Sequence, residues 1–141
     1  MVISGTIMAL DVGERRIGVA IASAEAKLAR PYATLAETIN INQDIANLVA
    51  SQQVSLLVIG LPLNMEADDT NQTLYIRRFA ERLKQFVSVP IVFQDEADTS
   101  RKAEVQLQAA KKPYQKSDID ALAAAYILQD YMDQQLRNQN G

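Results

Sequence analysis

Apolar residues run almost without interruption from Thr6 and stop at Asp11, the pattern of a strand buried on both faces and therefore central in its sheet. Glu14-Arg15-Arg16 then make a tight connection into a second strand, in which Ile17, Val19 and Ile21 alternate with Gly18, Ala20 and Ala22. One face of that strand is bulky and the other small. A third extended piece is expected from Pro31 to Leu35, so the chain opens with an antiparallel meander before a first helix over about 43–52. Leu56-Leu57-Val58-Ile59 reads as a second buried strand ending at Gly60-Leu61-Pro62. Asp69 with Gln72 resembles a capping box opening a long helix. Tyr75, Phe79, Leu83 and Phe86, flanked by Ile76 and Ala80, give that helix its core stripe. Pro90-Ile91-Val92-Phe93 is a further strand ending at Gln94-Asp95-Glu96, and two helices are expected over about 99–110 and 118–136. A polar loop, Lys111 to Lys116, separates them, and the tail Asn138-Gln139-Asn140-Gly141 is expected to fray.

This order of elements predicts an α/β fold: a mixed sheet with a three-strand antiparallel meander and two parallel strands, flanked by helices and joined later by right-handed crossovers. With 141 residues and no internal repeat or linker, residues 1–141 are expected to form one domain. Two substrate-closing lobes would not fit in that length. The chain has no cysteine and no histidine, which removes thiolate nucleophiles, histidine bases and the usual zinc ligands. Catalysis would have to run on carboxylates. A charged leader with an apolar core is lacking, and no apolar stretch reaches the roughly 18 residues of a membrane span, so a cytoplasmic location is expected. A net charge of −3 does not advertise a nucleic-acid binder, so local basic patches would have to compensate.

In an open α/β sheet, groups at the carboxyl ends of neighbouring strands converge on one edge. Asp11 and the pair Asp95-Glu96 end strands in this way, and Asp120 falls in the first turn of the last helix on the side of Ala124 and Ile127. Three carboxylates on one rim make a cage suited to Mg²⁺ or Mn²⁺, and two such ions support phosphodiester hydrolysis without histidine or cysteine. Plainer roles stand beside this one. Asp11 could bond the turn amides, Asp95 and Glu96 could be loop acids, and Asp120 could complete a capping box with Ser117, leaving Asp118 a solvated first-turn acid. Among the bases, Arg77, Arg78, Arg82 and Lys84 read as a solvated helix face. Arg15 and Arg16 follow Asp11, while Lys111, Lys112 and Lys116 lead up to Asp120, and these two groups could neutralise substrate phosphates beside the acids. Tyr114 is expected to pack partly within its loop.

The stretch from Ala9 to Ala20, with Asp11-Val12-Gly13-Glu14-Arg15-Arg16 at its centre, resembles the opening motif of the YqgF family of bacterial proteins, described as pre-16S rRNA nucleases and Holliday junction resolvases. Gly60-Leu61-Pro62-Leu63-Asn64-Met65 resembles the second block of that family, Gln94-Asp95-Glu96 the third, and Ile119 to Gln129 the last. The third block departs from the family pattern at Ala97, Asp98 and Lys102, and the second at Glu66-Ala67. The resemblance implies a ribonuclease H-like fold, metal-dependent nuclease activity and a role in maturing the 5′ end of 16S rRNA. It also implies metal-binding acids at Asp11, at Asp95 or Glu96, and at Asp120. As a mechanism, Asp11 would bridge two Mg²⁺ ions and Asp120 would hold one. Glu96 or Asp95 would hold the other and orient the attacking water, leaving a 5′-phosphate. The alternatives are junction resolution, which needs two symmetry-related sites, and a non-catalytic nucleic-acid-binding or ribosome-assembly module. An actin-like ATPase would need a second phosphate-binding half, and a dinucleotide fold would need a glycine-rich fingerprint.

Overall fold

The structure, a computed structural model, describes residues 5–62, 70–96 and 99–140. Leu63 to Asp69 and the third-block departures Ala97 and Asp98 lie outside the described residues. Strands β1 (Thr6–Val12), β2 (Arg16–Ser23) and β3 (Arg30–Ala36) form the meander, followed by α1 (Ile41–Ser51) and β4 (Val54–Leu61). Helix α2 (Asn71–Leu83), β5 (Ile91–Asp95), α3 (Thr99–Ala109) and α4 (Lys116–Asn140) complete the chain. The sheet runs in the order β3-β2-β1-β4-β5. β1 is antiparallel to β2 and parallel to β4, and β4 is parallel to β5. The mixed α/β sheet expected from the sequence is thus present, with β1 at its centre.

Residue parity along the strands sorts the core into two layers. Met8, Leu10, Leu57 and Ile59 face α1 and α2, where Ile45, Ile76 and Phe79 cover them. Ile7, Ala9, Ala20 and Val58 face the other way and are covered by Ala124, Ile127 and Leu128 of α4. The small residues of β2 are therefore the floor beneath a helix. At Gly18 a Cβ would overlap the main-chain carbonyl of Asp120, and at Gly60 it would run into the Ile127 side chain. These two glycines let α4 lie directly on the sheet.

Several local expectations are corrected. Helix α2 is capped by Thr70, not by the Asp69 and Gln72 pairing. Its hydroxyl accepts from the Thr73 amide at 3.2 Å, and the Thr73 hydroxyl accepts from the Thr70 amide at 2.6 Å. Phe86 lies beyond the end of α2 and is 46% exposed, because the helix stops at Leu83 and turns its apolar stripe no further. The capping contact of α4 belongs to Asp118, whose carboxylate accepts from the Gln115 amide at 2.9 Å. Asp120 is thereby left free of that role. The segment expected to fray continues α4 as far as Asn140.

Candidate active site

Asp11 occupies the penultimate position of β1 and shares the parity of Ile7 and Ala9, so its side chain emerges on the α4 side of the sheet. Its strand partner is Gly18, on which α4 rests at Asp120, in the second turn and not the expected first, because the helix starts at Lys116. One close packing contact therefore brings Asp120 up to Asp11 across more than a hundred residues of sequence. Burial first, and then the Asp120 charge, push the Asp11 carboxyl up from 3.8 to about 6. A group in this position gains from a counter-charge or a proton.

The same parity separates the two acids at the end of β5. Val92 packs in the α4 layer and Gln94 is buried, which places Glu96 in step with them, whereas Asp95 is exposed. Glu96 and Asp11 line one cavity of about 420 Å³ together with Gly60, Pro62, Thr99 and Arg101, and Asp95 is not part of its wall. Burial, a hydrogen bond to Asp130 and the repulsion of that carboxylate push Glu96 up from 4.5 to about 8, against a smaller opposing pull from Lys102 and a hydrogen bond with Gln94. Asp130 escaped the reading of the sequence. Its signal was the spacing of three from Ile127, which puts it on the sheet-facing side of α4. Gln72 extends the depression into a second hollow of about 390 Å³ bounded by Glu14 and Tyr75. The Tyr75 hydroxyl donates to Glu37 at 2.6 Å there.

Asp120 does not stand alone. The Nε of Arg16 donates to its Oδ2 at 2.6 Å, and both side chains are partly exposed. Arg16, expected to face phosphate, thus has one nitrogen committed to an acid, for the parity that sends Ala20 under α4 sends Arg16 there too. Arg15, Lys111, Lys112 and Lys116 are exposed. Among the described residues, no group of three or more acidic side chains closes on a common point in the manner of a metal cage. Asp11 and Glu96 line the cavity, whereas Asp120 lies outside its wall, near enough for its charge to act on Asp11 and drawn to Arg16, and Glu96 is drawn to Asp130. The donors still suit a hard cation: oxygen ligands only, with Asp11 raised by burial and by Asp120, and Glu96 by burial and by Asp130.

Known proteins match this chain over most of its length. A protein from Chloroflexus aurantiacus named "Putative pre-16S rRNA nuclease" is 43% identical over 142 residues, covering 95% of this chain and 90% of its own. One of the same name from Roseiflexus sp. is 41% identical, covering 93% of this chain and 96% of its own. Among solved structures, T. thermophilus RuvC in complex with a Holliday junction substrate superposes with a TM-score of 0.58 at 15% identity, over 93% of this chain and 96% of that one. The Fowlpox virus resolvase in complex with Holliday junction DNA gives 0.54 at 14% identity, over 93% and 99%. Those two likenesses give the fold, which is ribonuclease H-like. The family model described as "RuvX: Holliday junction resolvase" matches residues 5–134, and with relatives at this level of identity the chain belongs to the RuvX (YqgF) family.

Proposed function

We propose that this protein is a metal-dependent endonuclease whose acids Asp11, Glu96 and Asp120 act on the phosphodiester backbone of structured RNA, in maturation of the 5′ end of 16S rRNA. The observation that supports this most is the Asp11 carboxyl, buried at the tip of the central strand, facing Asp120 and sharing its cavity with Glu96. A strand-end acid with only a structural role would be satisfied by turn amides. Instead this one is held in the charged form at a cost.

Asp11, Glu96 and Asp120 would hold Mg²⁺ or Mn²⁺, which when bound supplies Lewis-acid polarisation of the phosphate and a more acidic water. Arg16 fixes the Asp120 carboxylate through its Nε, so that this acid approaches the cavity in one orientation. Burial, and then Asp130, raise the Glu96 carboxyl to about 8, so that it favours its proton near neutral pH until a cation enters. Arg15 and the loop lysines 111, 112 and 116 are placed to meet phosphates further out. Asp95, on the opposite face of β5, takes no part. A location in the cytoplasm fits this role, and among the described residues no helix is long and apolar enough to cross a membrane.

A four-way DNA junction is the second substrate to be tried, because the matching family model carries that description. The test incubates a precursor rRNA 5′-end fragment and a junction with Mg²⁺ or Mn²⁺, beside EDTA and Asp11→Asn controls. Cleavage of the RNA by the wild type alone is expected, leaving a 5′-phosphate. Preferential junction cutting would reassign the substrate, and binding of both without cleavage would identify a non-catalytic module.

A further inference from the structure

On the outer side of α3 lies a shallow trough of about 470 Å³, floored by Val105 and Ala109 and closed on one side by Tyr126 of α4. Val105 is 58% exposed, unusual for a valine on a short surface helix. Arg101 and Lys102 stand at its amino-terminal end. Residues 101, 105 and 109 are spaced four apart, so the cation and the apolar floor form a single stripe along α3. Gln106 reaches across to the Tyr126 hydroxyl and fixes the ring as a wall. The Arg101 side chain lines this trough and also the cavity that holds Asp11 and Glu96. Lys102 is near enough to Glu96 to act on its charge. The trough is thus a continuation of the acid cavity, with positive charge at the junction and an apolar surface beyond.

We propose that the α3 trough seats a single-stranded stretch of nucleic acid running on from the bond to be cut. Its phosphates lie against Arg101 and Lys102, and a base lies on Val105, Ala109 and the Tyr126 ring. The inference rests on the nuclease reading above and adds the form of the substrate to it. Charge and shape favour this occupant. A duplex keeps its base faces stacked inside and would meet the apolar floor with nothing, whereas an unpaired nucleotide offers one phosphate and one apolar face together. Ribose and deoxyribose strands share that chemistry.

The test measures binding by fluorescence anisotropy in EDTA, where turnover does not interfere. The probes are a blunt hairpin and the same hairpin with a short single-stranded extension, each in RNA and DNA form. For the wild type the extension should tighten binding about tenfold, the order expected for one stacked base. Val105→Glu should abolish that gain and leave blunt-hairpin binding and the melting temperature unchanged. Lys102→Gln should lower the slope of log affinity against log salt by about 0.7 for the extended probe, the loss of one single-strand phosphate contact. Arg78→Gln, on the exposed side of α2, removes the same charge elsewhere and should alter neither. A gain confined to the RNA or the DNA probe would assign the sugar. Equal binding of blunt and extended probes, or a gain that survives Val105→Glu, overturns the trough and leaves the nuclease reading standing. Failure of the wild type to bind any of the four probes overturns the trough, while the cleavage assay with Mg²⁺ or Mn²⁺ decides the nuclease reading separately.

Discussion

The charge on Asp11 works against the fold at neutral pH, and this gives the acid a measurable signature. Its carboxyl titrates near 6 when folded against 3.8 ordinarily, so the folded state holds the proton more tightly than the unfolded one. The penalty is absent below about pH 3.8, grows through pH 6 and is complete above it, amounting to at most about 3 kcal/mol. Asp11→Asn should therefore melt higher than the wild type at pH 8, with the difference vanishing near pH 4. A thermal scan at both pH values checks this, and a variant that melts lower at pH 8 would mark Asp11 as a structural residue. Part of this scale was legible in the sequence: an acid ending an apolar run is costly, and Asp11 and Glu96 do line one cavity, with Asp120 beside it and not in its wall. Other relations were hidden. The ion pair of Arg16 with Asp120 joins residues 104 apart in the chain, and no local spacing announces it. Which of Asp95 and Glu96 lines the cavity was hidden in another way, since it follows from strand parity only once Val92 is known to face α4.

Among the elements, α4 decides where the acids stand, and its seat is the pair of glycines beneath it. The two contacts differ in kind. At Gly18 an added methyl meets the Asp120 backbone, which cannot yield without lifting the helix, while at Gly60 it meets the flexible end of Ile127. Overpacking of this sort typically costs 1–3 kcal/mol. Gly18→Ala should fall at or above the top of that range and Gly60→Ala near the bottom, as read from urea unfolding midpoints. Gly18→Ala should also cost more activity, because it moves Asp120. The small face of β2 was visible as Gly18, Ala20 and Ala22, but nothing in the sequence said which helix would cover it. Helix ends were the least legible feature. Thr70 and Thr73 form the capping box of α2, and Asp118 takes the capping role that the sequence offered to Asp120, choices that residue type alone does not decide.

For the whole molecule, stability should be coupled to cation binding in a manner that follows from the acids. Anything that binds only the folded state raises its melting point, by about 2.7 kcal/mol of stability at a hundred times the dissociation constant. Glu96 and Asp11 must shed protons to receive a cation, so Mn²⁺ should raise the melting temperature more at pH 8.5 than at pH 6. Asp11→Asn should remove most of the increase at either pH. A shift independent of pH would place the ion elsewhere. The architecture also imposes an order of events on synthesis. Asp11 is made more than a hundred residues ahead of Asp120 and Asp130, which belong to α4, the helix that covers Ile7, Ala9, Ala20 and Val58. Because domains made on the ribosome emerge from the amino terminus onward, a nascent chain that stops short of α4 carries Asp11 under a bare apolar sheet face, without Asp120 or Asp130. The helix that closes the core is thus also the one that brings up Asp120 and Asp130, so a chain cut short of α4 loses the cover of one core layer and two of its clustered acids together.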